Sequence, residues 1–471
     1  MLRLSPGPDG MATYAGTLTG ADCKRNIAHG FEVPAGVTRL RIRMSFAPHR
    51  VAGFNNMITL SAFDPLGFRG AGHRHGNVHE VAIDPRSATP GFIPGPIRAG
   101  AWQITLDTHM VMPDTPVAYT LEVEVSVEPA PIPEPPAPNP QPQPRAPQPT
   151  GPRWFRGDLH AHSVHSDAIW TAADLAAWAR AEKLDFVSLT DHNTVSGLAE
   201  ILALGGPDLL TLGGMEFTTF WGHALMHGSH DWMDWRTRDG HGMAAIATAV
   251  AARGGTFIIA HPRAQGDPHC TGCRWVYDEV FPGPARVVEV WNTAWNSDSH
   301  NEDGLALAYE WLNAGYRMAL TSGTDNHGRG TGHRDRGAQS HYGFDHVYAQ
   351  ALTEADILSA VRAGHLYISA GPRLKISAQA GAATAMMGDA LSPNAGATEI
   401  HIAWSDAPAG AQISLITDGQ IRQTWAATES GEERRALGLD DAGWCLATLR
   451  EAAGRMLALT NPVFLSRFQA R

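Results

Sequence analysis

Alternating apolar and polar residues mark the first quarter of the chain. Residues 37 to 46 (VTRLRIRMSF) and 118 to 127 (AYTLEVEVSV) place every second side chain on one face, the period of a half-buried strand, with Gly and Pro between such runs. Residues 11 to 128 are therefore expected to form an antiparallel β-sandwich. From Glu128 to Trp154 proline is so dense that helix and sheet ladders are excluded and an extended polyproline II spacer is expected. Beyond it the pattern changes to short apolar runs, at 186–189, 256–260, 287–291 and 317–320, separated by stretches of helical period at 171–182, 242–253 and 304–314. Repeated βα units predict an α/β fold with a parallel sheet or barrel. After about Pro372 short strands return, for example 398–404 and 455–459. The expected division is a sandwich over 1–128, a linker over 129–153, an α/β barrel over 154–371 and a small β domain over 372–471.

A chain of 471 residues is too long for one ordinary domain, which agrees with that division. Its composition, 43% hydrophobic and 18% charged with 14 Trp, excludes wholesale disorder. Lys and Arg total 36 against 47 Asp and Glu, a formal charge of -11, so nucleic acid is not an expected partner. The first residues hold no apolar run long enough for a signal-peptide core, and no stretch approaches the roughly 20 apolar residues of a membrane span. No membrane partner is expected, and a cytoplasmic location is the default. Cys23, Cys270, Cys273 and Cys445 are too scattered for a disulfide scaffold, and one C-x-x-C makes no zinc ribbon. The 23 His matter more, because many cluster with Asp and Glu.

Each cluster follows directly on a strand candidate. In DLHAHSVHSD, residues 158 to 167, a period of two sets His160 and His162 on one side of an extended segment, within reach of one ion, and Asp167 supplies a hard oxygen. His192 follows the strand at 186–189, Glu216 follows an apolar run at 209–212, and His261 follows 256–260. Asp325 and His327 repeat the period of two after Leu320. Ligands at successive strand ends share one face if the strands form a barrel. With His223 counted, these nine residues exceed what one tetrahedral ion can use, so a multinuclear centre is expected, with Glu216 able to bridge two ions.

The ordered set DLHAHSVHSD, TDH, GMEF, HP and TDNH, spanning residues 157 to 327, resembles the PHP (polymerase and histidinol phosphatase) family, and more narrowly its CehA/McbA-type metallohydrolase branch. Segments 63–70 (FDPLGFRG), 100–102 (GAW) and 460–464 (TNPVF) are similar to that branch as well. The resemblance implies a distorted (β/α)7 barrel, two or three Zn, Mn or Fe ions and a metal-bound hydroxide as nucleophile. Carried onto this chain, it implies that His160, His162, Glu216 and Asp325 hold one ion. Glu216, His223 and His261 would hold a second, and Asp167, His192 and His327 a third. Glu216 and Asp325 are then the catalytic carboxylates. His223 is the weakest transfer, since His227 and His230 lie nearby, and Asp158 is expected to orient a ligand imidazole rather than to bind an ion.

Arg263, Arg329, Arg334 and Arg336 lie in loops expected to face the ions, where guanidinium forks bind phosphate oxygens; Arg263 and Arg334 are taken as substrate-binding. The segment 267–274, with its two thiols, reads as a plain surface loop before a lid. Phe220, Trp221, Trp232 and Trp235 read as core packing before an aryl pocket. His73 and His75 read as exposed loop residues of the sandwich, far in sequence from every metal motif. The leading expectation is a metal-dependent phosphoesterase acting on a small phosphomonoester or diester. A carboxylic ester or aryl carbamate hydrolase on the same centre is the alternative, and an inactive-barrel binding protein is the alternative of another class. The β domains are available for oligomerisation, and the expected partner is a small-molecule substrate.

Overall fold

The structure, a computed structural model, describes residues 2–3, 10–127, 151–237, 240–277, 285–328, 342–391, 398–438, 441–465 and 467–471. Most of the proline-rich segment falls outside these. In the first part, Asn26–Val33, Gly100–Met110, Met57–Asp64 and Gly67–Gly72 form one antiparallel sheet with Leu2–Arg3 added at its edge. Met11–Leu18, Val117–Ser126, Arg39–Ala47 and Val78–Ile83 form a second. In Arg39–Ala47 the residues at alternate positions are buried, so that Leu40, Ile42, Met44 and Phe46 meet Phe31, Ile58, Leu60 and Ile104 in one core. The motif FDPLGFRG is a turn: Asp64 accepts hydrogen bonds from the backbone N–H of Leu66 and Gly67, at 2.7 and 3.1 Å, and pairs with buried Arg69 at 3.0 Å.

The second part is built on a sheet whose strands run in the order Ala319–Gly323, Val287–Asn292, Thr256–Ile259, His223–His227, Leu210–Thr218, Phe186–Leu189, Arg153–Asp158 and Phe344–Ala349. Neighbours are parallel except at Leu210–Thr218 with His223–His227, at His223–His227 with Thr256–Ile259, and at Arg153–Asp158 with Phe344–Ala349. The regular βα repeat expected from the sequence is thus broken. Residues 219–222 are too few for the crossover of a dozen or more residues that a parallel pair requires, so a hairpin forms instead. Helices are few, five among the described residues. Ala172–Ala181 starts at a capping box of Thr171 and Asp174 and buries Leu175, Ala176 and Ala179; Glu354–Ala363 starts at Thr353 and stops at Gly364, φ 76°. Past the strand ends, the N–H of Asp325 donates to His160 O at 2.8 Å and that of His162 to Asn326 O at 3.0 Å, tying the segments that follow Arg153–Asp158 and Ala319–Gly323 together.

The sheet does not stop at residue 371. Leu366–Ser369 pairs with Met456–Thr460, and Trp444–Arg450, Gln412–Thr417 and Gln420–Ala426 continue it. Ala383–Met386, Arg373–Ala380, Thr398–Ser405 and Gly431–Leu437 make a separate small sheet. The motif TNPVF has a clear task here, because fully buried Asn461 accepts from Leu320 N–H at 2.7 Å and donates to Leu320 O and Leu366 O at 2.8 and 3.1 Å. That clamp fixes the strand leading to Asp325.

The sandwich rests on the ligand-bearing end of the second part. Phe68 stacks on Trp232 with ring centroids 4.1 Å apart, and Lys24 Nζ meets Asp267 at 2.7 Å. Gly91 donates its N–H to Ser196 Oγ at 3.1 Å and His165 Nδ1 at 3.3 Å, and its carbonyl accepts from Thr194 Oγ1 at 2.7 Å. Among the described residues no helix is long and apolar enough to cross a membrane.

Candidate metal centre

His160 and His162 follow directly on Arg153–Asp158. Asp158 Oδ1 accepts from the backbone N–H of His160 at 3.1 Å and of Thr324 at 3.0 Å, and its other oxygen accepts from the Thr324 hydroxyl. It therefore orients the ligand segments through their backbone, not through an imidazole as expected. Asp191 acts similarly on the next loop, accepting from Ser163 N–H at 2.8 Å, Ser163 Oγ at 2.7 Å and Ser166 Oγ at 2.6 Å. Two of the converging residues, His261 at φ 28° and Asp325 at φ 51°, hold left-handed backbone conformations that non-glycine residues rarely adopt. Such strain concentrates at functional sites.

Glu216 lies at the middle of the site. Its Oε2 is 3.3 Å from His160 Nε2, 3.4 Å from His162 Nε2 and 2.8 Å from His192 Nδ1; its Oε1 is 3.0 Å from His223 Nδ1 and 3.3 Å from His261 Nε2. Asp325 Oδ1 is 3.0 Å from His162 Nε2 and 3.5 Å from His160 Nε2, and these two imidazole nitrogens face each other at 3.1 Å. Asp167 Oδ1 lies 3.4 Å from His192 Nε2 and 3.0 Å from His327 Nε2. Three overlapping groups could hold a metal ion: His160, His162 and Asp325; His160, Glu216 and His261; and His162, Asp167, His192 and His327. A tetrahedron with metal–ligand bonds of about 2.1 Å has edges of about 3.4 Å. The separations around His160, His162, Glu216 and Asp325 are of that size. Two imidazole nitrogens in contact between Glu216 and Asp325, with His162 Nδ1, Asp325 Oδ1, Asp167 Oδ1 and both nitrogens of His223 buried, suit cations better than a hydrogen-bond network.

The charges point the same way. Burial by itself would lower the His160 pKa, yet the carboxylates of Glu289 and Glu216 hold it up to about 10; for His192, Glu216 and Asp167 overcome burial to the same level. Burial opposes ionisation of Glu216, but His192, His160 and His223 hold it well below the usual carboxylate range. His162 is pushed well down by burial and by His327 and His192.

All nine residues expected as ligands are thus brought to one site, and His223 is separated from its neighbours: His227 binds Ser188 Oγ at 3.1 Å and His230 meets Glu354 at 3.3 Å. Arg263 is half-buried two residues past His261, its backbone paired with Arg274. Arg329, Arg334 and Arg336 lie outside the described residues.

Several residues were not foreseen. Glu289, in Val287–Asn292, accepts from His160 Nδ1 at 2.8 Å, and Asn292 joins Glu289 to Asp325 with contacts of 2.7 and 3.2 Å. A Glu within an apolar strand was the available signal. One expectation for the sandwich is overturned and one holds. His73 is buried, 7% exposed, with its ring 4.5 Å from that of His192. His75 is 65% exposed as expected, yet its Nε2 lies 3.5 Å from Asp167 Oδ2. The loop carrying these residues descends onto the site, so distance in sequence misled. The segment 267–274 is likewise more than a surface loop: Cys270 and Cys273 are disulfide-bonded, Thr271 and Cys273 are buried, and Cys273 O accepts from His261 Nδ1 at 3.2 Å. Phe220 and Trp235 are core, as expected, whereas Trp232 packs against the sandwich.

No protein-family model and no curated protein sequence matches the chain. Among solved structures it is similar to a two-domain protein from Bacteroides vulgatus described as containing a predicted PHP-like metal-dependent phosphoesterase, at 14% identity and a TM-score of 0.39 over 67% of this chain and 97% of that one. It is also similar to a proposed metal-dependent phosphoesterase from Bifidobacterium adolescentis, at 18% identity and 0.29 over 38% of this chain and 89% of that one. A third likeness is to an amidohydrolase from Chromobacterium violaceum with bound sulfate and no metal, at 17% identity and 0.29 over 37% and 88%.

Proposed function

We propose that this chain is a metal-dependent hydrolase, and within that class a phosphoesterase for a small phosphomonoester or diester, its second part a distorted (β/α)7 barrel of the PHP type. The observation that carries the reading is the convergence of His160, His162, His192, His223 and His261 on Glu216, with Asp325 and Asp167 completing the set. The barrel reading is supported by the seven-strand series from Arg153–Asp158 to Ala319–Gly323 and the backbone bonds that join its two ends. In it, His160, His162, Glu216 and Asp325 hold one divalent ion, Glu216, His223 and His261 a second, and Asp167, His192 and His327 a third, the ions being Zn, Mn or Fe. When bound, such ions neutralise charge on a phosphoryl oxygen and lower the pKa of water from 15.7 to about 7.

The chain's own part is positional. Glu289 fixes the His160 ring, Asn292 holds the Asp325 carboxylate, and Asp158 and Asp191 set the loops that bear the ligands. The overlying sandwich meets this end through His73 against His192 and Gly91 on Ser196. The test is hydrolysis of p-nitrophenyl phosphate beside an aryl acetate and an aryl carbamate, with Mn or Zn supplied and chelator as control. Chelator-sensitive phosphate release, lost together with bound metal in Glu216→Gln, is the expected result. Ester or carbamate cleavage without phosphate release moves the assignment to the other bond class, and full turnover by Glu216→Gln overturns the metal mechanism.

A further inference from the structure

The sandwich brings two buried imidazoles to the centre. His73 comes directly after Gly67–Gly72, and His109 lies near the end of Gly100–Met110. Their rings are 4.8 Å apart; His73 is 4.5 Å from His192, while His109 is 5.0 Å from Phe220 and 6.1 Å from the Trp235 ring, on which it stacks. His109 Nε2 is satisfied by Thr59 Oγ1 at 3.1 Å. The remaining atoms are not: His73 Nδ1, His109 Nδ1 and Trp235 Nε1 have no hydrogen-bond partner among the described residues. His109 and Trp235 are each 1% exposed. Buried nitrogens without partners are costly, and native structures retain them where something else supplies the partner. Here three of them, from both sides of the interface, form a continuous run ending at His192. None belongs to the three groups of converging ligand atoms, and His73 borders one of them through His192.

We infer that His73, His109 and Trp235 are substrate contacts: a wall contributed chiefly by the sandwich, binding the oxygen atoms of the phosphoryl group or of its leaving group. The inference rests on the phosphoesterase reading. It makes the first domain part of the active site, and it limits the substrate to a small oxygen-rich head group, since Phe220 and the Trp235 ring close the run on the far side. A donor to an anionic oxygen is the role the indole can play, because its nitrogen only donates; the imidazoles donate or accept according to tautomer.

The test uses the full chain loaded with Mn. Trp235→Phe removes the indole N–H and keeps the ring, and His73→Gln and His109→Gln keep polar bulk beside their Ala counterparts. Binding of inorganic phosphate is measured by calorimetry, turnover of p-nitrophenyl phosphate by kinetics, and bound Mn by elemental analysis. The expected result is a weakening of phosphate binding and of kcat/KM by about tenfold or more in the His73 and His109 variants, and less in Trp235→Phe, with Mn content unchanged. Unchanged phosphate binding and turnover in folded, fully metallated variants overturns the inference and leaves the phosphoesterase reading standing. Loss of Mn in the His73 variants also overturns it, since His73 would then be a ligand. A wild-type protein that neither binds phosphate nor releases it from the ester removes the phosphoesterase reading, and the inference with it.

Discussion

At the scale of single residues, the clearest leverage lies in groups that hold a ligand without being one. Glu289 is buried, receives the His160 Nδ1–H and is reached by Asn292. Removing a partner of that kind costs about 10- to 100-fold in metal affinity. Glu289→Gln is therefore expected to weaken Mn or Zn binding by about that factor while leaving the thermal unfolding of the metal-saturated protein close to wild type, as competition with a chelator dye will show. Gly323 is bound into the same contact, since a Cβ there would come within 2.3 Å of Glu289 Oε2 and 2.4 Å of His160 Cβ. The spacing of His160 and His162, or of Asp325 and His327, was legible because ligand type and a period of two are local properties. Glu289 was not, because only the parallel pairing of its strand with Ala319–Gly323 brings it beneath His160.

Elements carry two further predictions. Gly91 sits at φ 94°, and a Cβ on it would meet Ala71 O at 2.5 Å and His165 O at 2.8 Å, where the sandwich clasps the loops after Arg153–Asp158 and Phe186–Leu189. Gly91→Ala is expected to cost about 1–3 kcal/mol and to lower activity, because the clasp that positions His73 would have to open. Calorimetric unfolding beside kinetics checks it, and an unchanged melting profile would refute it. On Gly100–Met110, Asp107 is buried against Ser61 and Asn26, and burial pushes its carboxyl up to about 6 from an ordinary value of 3.8. The folded state then holds a proton that the unfolded state has released between those values, so stability falls as pH rises through that window. The contribution is full below 3.8 and is lost above about 6. Asp107→Asn should flatten the dependence of Tm on pH between 4 and 6, and an identical slope in both proteins would sink the assignment. The strands named from alternation and the helices named from helical period at 171–182, 242–253 and 304–314 were readable in this way. The hairpin of Leu210–Thr218 with His223–His227 was not, since its chain direction is set by a short connection and not by any pattern within the strands.

For the whole molecule, ligands from six separate chain segments must converge before an ion can bind, so binding energy becomes folding energy. Chelation is expected to lower Tm by several degrees, and free ion at a thousandfold excess over Kd to restore about 4 kcal/mol. A Tm indifferent to chelator would mean that the ligand set does not bind ions in the folded state. The C-terminal strands belong to this same unit, for Asn461 clamps the strand that presents Asp325.

What the sequence by itself determined is the chemistry and its local frame: the His, Asp and Glu that converge, the strands that deliver them, and the change of texture at the proline-rich stretch. Those properties are written in residue type and in periods of two and 3.6, which act over a few positions. Only the tertiary structure decided how the three parts meet. His73 and His109 stand 119 and 114 positions before His192 and His223, and neither carries a local mark that separates a loop imidazole from one lining a site. Their role follows from the docking of Phe68 on Trp232 and of Gly91 on Ser196, contacts between distant segments whose geometry no local period encodes.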